Sequence, residues 1–332
     1  MEVQTNLFDI LEARYPKRSD LIPELCELLN LGQDAIYRRM RGDTVTTPDE
    51  IAKICRHYKI SLDALIHNDT SSVFFEFSAF RDPIQSVDQY INKLKETFHK
   101  VQSIPNGKIY YASSEIPVFY YAFYPDLLLF KLYVWGQTIW DIEEFKDKPF
   151  SLDLISKAVR QQALELVRQY IKMDTIELWS QKIAENTLNQ ILYHAEIGGF
   201  KHKEESLKLC EDLAQVIRHF HEMAKAERKF MPGQPEASGH FALYHNEMIY
   251  TNNTIFFHSE HLKTLFTTFA NPNFLQTTDT LICDYSEQWF QELIKKSAPL
   301  SGNVEKARNK YFQSIHHSIK RTKLKIEALM HD

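Results

Sequence analysis

The stretch ELCELLNLGQDAIYRRMRG, residues 24–42, reads as two short helices joined by a tight turn. Asn30 stands in that turn, and Asn tolerates the left-handed backbone that most side chains avoid. Gly32 can cap the second helix, Ile36 and Met40 are four apart and share one face of it, and Gly42 ends it. Working outward, Thr47-Pro48-Asp49-Glu50 marks the next helix start, with Thr47 as cap, Pro48 at the first helical position and Glu50 closing a capping box. Ile51, Ile54, Cys55 and Tyr58 then recur at helical spacing, and Ser61 can cap a last short helix whose Leu62, Leu65 and Ile66 face inward. Residues 6–66 therefore predict five short helices in a small bundle, followed by a polar linker at 67–72.

A chain of 332 residues exceeds a usual single core. The expected division is a module at 1–68, a linker with a possible strand at 69–80, and a larger domain over 81–332. Hydrophobic residues at 44% and charged residues at 25% exclude a mainly disordered chain. Nine glycines against 13% aromatics argue against a Gly-rich phosphate-binding architecture and favour long helices. The net charge of −5 supplies no global pull toward nucleic acid, so any DNA affinity must come from a local patch. Residues 1–70 carry nine Lys and Arg against twelve Asp and Glu, a net −3. Yet Arg38, Arg39 and Arg41 cluster on one predicted helix, with Lys17 and Arg18 just ahead of the preceding one.

Cys26, Cys55, Cys210 and Cys283 lie far apart with no Cys-x-x-Cys pair, and Met1–Phe8 holds no apolar run. Both features read as reduced thiols in a cytoplasmic protein without a leader. Ile116–Trp140 is the most apolar segment, but Pro117, Pro125, Asp126 and Lys131 interrupt it, so no membrane span is expected.

Residues 24–42 resemble the helix-turn-helix of the Xre, or lambda-repressor-like, family. Tyr58-Lys-Ile-Ser-Leu-Asp-Ala-Leu-Ile66 resembles that family's closing helix, which extends the likeness over about sixty residues. The resemblance places Leu25, Leu29 and Leu31 at the apolar positions of the first helix and turn, Cys26 at the small-residue contact, and Asn30 where Gly is usual. It departs at Arg39, a position usually apolar, leaving Met40 to take the inward role.

The resemblance implies that the helix of residues 33–41 enters the major groove of double-stranded DNA. Gln33, Asp34, Tyr37 and Arg38 are then expected on the face opposite Ile36 and Met40. Gln33 can pair with an adenine edge and Arg38 with guanine. Arg41 and Arg39 can grip phosphate, and Tyr37 can meet a thymine methyl or the sugar edge. Asp34 either accepts from a cytosine amino group or simply complements a helix N-terminus. The implied protein is a bacterial, homodimeric transcriptional regulator without a cofactor. Its C-terminal domain is left for dimerisation or for sensing a small-molecule or protein effector.

Beyond the linker the sequence predicts a mainly α chain: an α+β, helix-dominated C-terminal domain with a small antiparallel sheet. Val73–Phe77 and Lys108–Ala112 read as strands, and Ser86–Val101, Leu154–Ile171 and Glu204–Phe230 as helices. Thr175–Ala195 reads as one more helix, with Asp174 and Glu177 as its capping pair. Phe241–Tyr244, Met248–Tyr250 and Thr254–His258 predict a β-meander, His261–Phe269 and Tyr285–Lys295 two helices, and Asn303–Met330 a long terminal helix. That helix carries Lys306, Arg308, Lys310, Lys320, Arg321, Lys323 and Lys325, a solvated face or a second contact to DNA phosphate.

Enzyme signatures are missing: there is no Walker-type loop, no Gly-x-Ser-x-Gly elbow and no His-Glu-x-x-His helix. His219 and His221 with Glu222, and His316 with His317, are the densest ligand-type clusters, but their spacings do not put both imidazoles on one helical face. No metal site is expected. The aromatic run Val118–Tyr124, with Tyr133, Trp135 and Trp140, is either core or the lining of an effector pocket. The competing reading of the whole is an interaction scaffold whose helix-turn-helix no longer binds DNA.

Overall fold

The computed structural model describes residues 2–331 except 14, 16, 59, 61, 67–71, 78–81, 103, 155, 235, 237, 248–251 and 261. The expected Ser61 cap, the linker residues 67–71 and the strand at 248–250 lie outside the described residues.

The N-terminal segment forms five helices: α1 (Glu2–Ala13), α2 (Arg18–Leu29), α3 (Gln33–Met40), α4 (Pro48–Tyr58) and α5 (Leu62–Ile66). They close on a core of their own in which Leu7, Leu11, Leu21, Leu25, Ile36 and Ile54 are fully buried. Asn30 adopts the left-handed conformation that the turn needs, at φ 54° and ψ 48°, and Gly42 takes φ 79° after α3. The capping box is reciprocal: the Glu50 N–H donates to Thr47 Oγ1 at 3.3 Å, and the Thr47 N–H donates to Glu50 Oε2 at 2.8 Å.

The rest of the chain is built on a mixed sheet of eight strands: β1 (Glu76–Phe77), β2 (Lys108–Ser113), β3 (Asp174–Trp179), β4 (Phe241–His245), β5 (Thr254–His258), β6 (Lys263–Thr268), β7 (Phe274–Thr277) and β8 (Ala298–Pro299). Their order is β1-β7-β6-β5-β2-β3-β4-β8. The central β2, β3 and β4 run parallel, and every other pairing is antiparallel. This overturns the expectation of a mainly α chain with a small antiparallel sheet.

Three local readings fail with it. Asp174–Trp179 is a strand rather than the start of a helix, because Thr175, Glu177 and Trp179 alternate onto one buried face. Asp174 caps no helix; its Oδ1 accepts from the His240 N–H at 2.7 Å beside the start of β4. Within the segment expected as a helix at 261–269, Lys263–Thr268 form β6 instead, where β-branched and aromatic side chains gain ladder partners on both β5 and β7. Among the described residues of the expected meander, β4 and β5 are not neighbours: β4 pairs with β3 and β8, while β5 pairs with β2 and β6.

Helices α6 (Val87–Gln102), α7 (Val118–Tyr121), α8 (Pro125–Thr138), α9 (Lys157–Tyr170), α10 (Glu185–Glu196), α11 (Glu204–Ala226) and α13 (Glu305–His331) share the principal core with inward residues of β2, β3 and β4. On the other sheet face α12 (Thr280–Lys295) lays Cys283 and Phe290 over Ala112, Leu178, Phe256 and Leu265. The crossovers from β2 to β3 and from β3 to β4 are helical, as parallel pairing requires. Among the described residues no helix is long and apolar enough to cross a membrane. Most of the apolar segment 116–140 is buried, with Tyr120, Tyr121, Phe130 and Leu132 fully so, while Ile139 near its end is exposed.

Candidate nucleic-acid interface

The geometry of α3 follows from how it is anchored. Ile36 is its fully buried residue, and Tyr37 and Met40 are half-buried against the same core. Met40 therefore takes the inward role that Arg39 vacates. Gln33, Asp34 and Arg38 are exposed on the helix, and Arg41 is exposed just past its end. Positions 34, 38 and 41 fall on one face, whereas Gln33, seven residues before Met40, lies on the flank nearer the core and is exposed because it stands in the first turn. Tyr37, like Arg39, lies partly inside the module rather than fully outside it.

Arg39 points elsewhere. Its Nε and Nη2 donate to the two carboxylate oxygens of Glu50 at 3.1 and 2.9 Å, and Nη1 donates to the Ala35 carbonyl at 3.2 Å. Burial pushes the Glu50 carboxyl up, but the bonds from Arg39 and Thr47 outweigh it and hold the group below the usual carboxylate range. The guanidinium thus joins α3 to the cap of α4. Arg41 pairs with Asp43 at 3.0 Å with both side chains more than half exposed, a contact that water and salt weaken. Arg38 has no ion-pair partner among the described residues.

One positioning residue carries no sequence motif. Gln4, buried on α1, donates through Nε2 to the carbonyls of Arg39 and Thr44 at 2.7 and 2.9 Å, and its Oε1 accepts from the Thr46 N–H at 2.9 Å. A single amide so satisfies three backbone groups of the segment leaving α3. A polar residue on an otherwise apolar helical face was the available signal.

The remaining candidate clusters are absorbed by packing. His219 Nε2 meets the Phe230 carbonyl at 2.8 Å, and His221 Nε2 meets Asn309 Oδ1 at 2.7 Å. The aromatic run is core: Tyr120 packs edge-on against Phe220 and Tyr170, and its hydroxyl donates to Glu177 at 2.5 Å. Just past the end of β2, Glu115 pairs with fully buried Lys131, which also donates to Gln190 Oε1 at 2.7 Å. No group of three or more His, Cys, Asp or Glu side chains among the described residues could hold a metal ion. Compared with models of protein families, with curated proteins and with solved structures, the chain finds no match.

Proposed function

We propose that this protein is a cytoplasmic, sequence-specific DNA-binding regulator of transcription, reading the major groove through α3 as a homodimer. The observation that carries the reading is the outer face of α3. A buried Ile36 fixes the helix, while Gln33 in its first turn is exposed and Asp34, Arg38 and Arg41 share one exposed face. The resemblance of residues 24–42 to Xre-type helix-turn-helices supports it, and the left-handed Asn30 supplies the turn that such a motif needs.

In this reading Gln33 and Arg38 meet adenine and guanine edges, and Arg41 releases Asp43 to meet a phosphate. Asp34 accepts from a cytosine amino group or serves the helix N-terminus. Tyr37 reaches a sugar edge or a thymine methyl with its exposed part. Arg39, which the sequence also offered as a phosphate contact, serves chiefly to hold α3 against α4. The larger domain is assigned dimerisation and response to an effector.

The alternative, a docking bundle that has left DNA behind, is favoured by one observation: Arg39 and Arg41 each already hold a carboxylate. In vitro selection of random duplex DNA by the purified protein separates the two. The expected result is an enriched palindrome with half-sites about one helical turn apart. Absence of enrichment, together with binding that is independent of salt, overturns the DNA reading.

A further inference from the structure

The two long helices α11 and α13 pack side by side, and the seam between them opens into a groove of about 370 Å³. Arg218 reaches it from α11, and His316, Lys320 and Lys323 reach it from α13. Its one carboxylate, Glu211, is already held by Lys323 at 2.6 Å. With that pair cancelled, exposed Arg218 and Lys320 leave two positive charges unmatched. Neither belongs to an ion pair among the described residues, and Arg218 Nε only donates to the neutral Gln215 side chain at 3.2 Å.

Two further groups describe the field in the groove. Half-buried His316 is held below the usual imidazole range by burial first, and then by the Arg218 guanidinium. Beneath it, burial pushes the Cys210 thiol up to about 12, so the thiol stays neutral and adds no negative charge.

We propose that this groove is a binding site for a phosphate dianion carried on a small phosphorylated ligand. Arg218 offers a planar fork of donors, Lys320 a mobile point charge, and His316 a ring nitrogen on the groove wall. Two unmatched cations balance the two charges of a phosphate monoester. The groove exceeds the volume of a bare phosphate and lies within the range of small-molecule sites, which leaves space for the group that bears it. The assignment does not depend on α3 binding DNA. Duplex DNA offers a related chemistry, because exposed Lys306, Lys310, Arg321 and Lys325 continue a basic stripe along α13. Its diester phosphates, however, carry one charge each.

The test is proton NMR of the imidazole resonances in the full chain, with His316 assigned from the His316→Gln variant. Inorganic phosphate and phenyl phosphate are titrated at about pH 7.5, where a monoester is almost wholly dianionic, against sodium chloride at matched ionic strength. The expected result is a saturable shift of the His316 resonance by both phosphates but not by chloride. In the Arg218→Ala/Lys320→Ala variant affinity falls about tenfold or more. Both substitutions are on exposed side chains, and an unchanged melting temperature establishes that the fold is kept. A shift that chloride reproduces, or that the double variant retains, overturns the proposal. A response to scrambled duplex DNA and not to either phosphate overturns it in favour of a DNA-backbone contact.

Discussion

Arg39 on α3 and Glu50 on α4 form a two-pronged ion pair at 2.9 and 3.1 Å, and the same Glu50 carboxylate closes the capping box with Thr47. One acidic side chain therefore caps α4 and fixes the orientation of α3. Glu50→Ala removes both functions and is expected to destabilise the module by about 2–3 kcal/mol, the sum of a lost cap and a lost charge-assisted pair. Because the Glu50 pKa is lowered on folding, this stabilisation is present at neutral pH and is lost as pH falls through the folded-state value. Hydrogen exchange of the α4 amides checks it: the wild type should lose protection on acidification, and Glu50→Ala should show little further change.

Separating base contacts from phosphate contacts gives the second prediction. Arg38→Ala and Gln33→Ala should each reduce discrimination between selected and scrambled sites by about 1–3 kcal/mol. Arg41→Ala should weaken both sites alike and reduce the salt slope by about one unit. Titrations at several salt concentrations on both duplexes distinguish these outcomes. If Arg38→Ala weakened both sites equally, its assignment to a base edge would fail.

Gln4 lies on a different helix from every candidate DNA contact, yet it holds the chain that leaves α3. Gln4→Ala strands the Thr44 carbonyl and the Thr46 N–H and takes one of two donors from the Arg39 carbonyl, which keeps the Gly42 N–H, and is expected to cost about 1–3 kcal/mol. Hydrogen exchange at Thr46 should accelerate first, since its N–H loses the Gln4 acceptor. DNA affinity should fall while base preference is retained, because the side chains that read sequence are untouched.

Much of the N-terminal module was legible because its determinants are local. Asn30, Gly42 and the Thr47-Pro48-Asp49-Glu50 cap act within a few residues of where they stand, so a short window contains the physics. Gln4 stood out only as a polar residue on an apolar face, and its role was not legible, since its partners lie 35 to 42 residues away. The sheet failed for the same reason on a larger scale. Residues 174–195 mix a strand with a helix, and Asp174 and Glu177, three apart, imitate a capping pair. Their true partners, the His240 N–H and the Tyr120 hydroxyl, lie on distant parts of the chain. A parallel ladder such as β2-β3-β4 is specified by crossovers of many tens of residues, and nothing near each strand announces it.

Glu177 and Lys229 are both fully buried in the larger domain. Glu177 accepts from Tyr120, from Tyr170 at 3.3 Å and from Trp179 Nε1 at 3.0 Å. Lys229 Nζ donates to the Tyr170 carbonyl at 3.2 Å and lies 4.3 Å from the centre of the Tyr170 ring. Burial lowers the Lys229 pKa against the opposing pull of Glu177 and Asp174, and burial raises that of Glu177 against Lys229 and its hydrogen bonds. For a base whose folded value is depressed, the unfolded chain binds more protons. Stability should therefore rise as pH climbs toward the ordinary lysine value of about 10.4, and fall as pH drops through the folded value. Lys229→Met should flatten that rise. Alone it leaves the Glu177 carboxyl buried without its cation and should destabilise. Combined with Glu177→Gln it should recover part of that loss, because no carboxylate is left buried without a cation, while the amide keeps an acceptor for Tyr120 and Tyr170 but none for the Trp179 Nε1–H. All four tryptophans lie beyond residue 134, so urea unfolding followed by their fluorescence reports on this domain across a pH series. A double variant less stable than Lys229→Met would show that the charges stabilise the core.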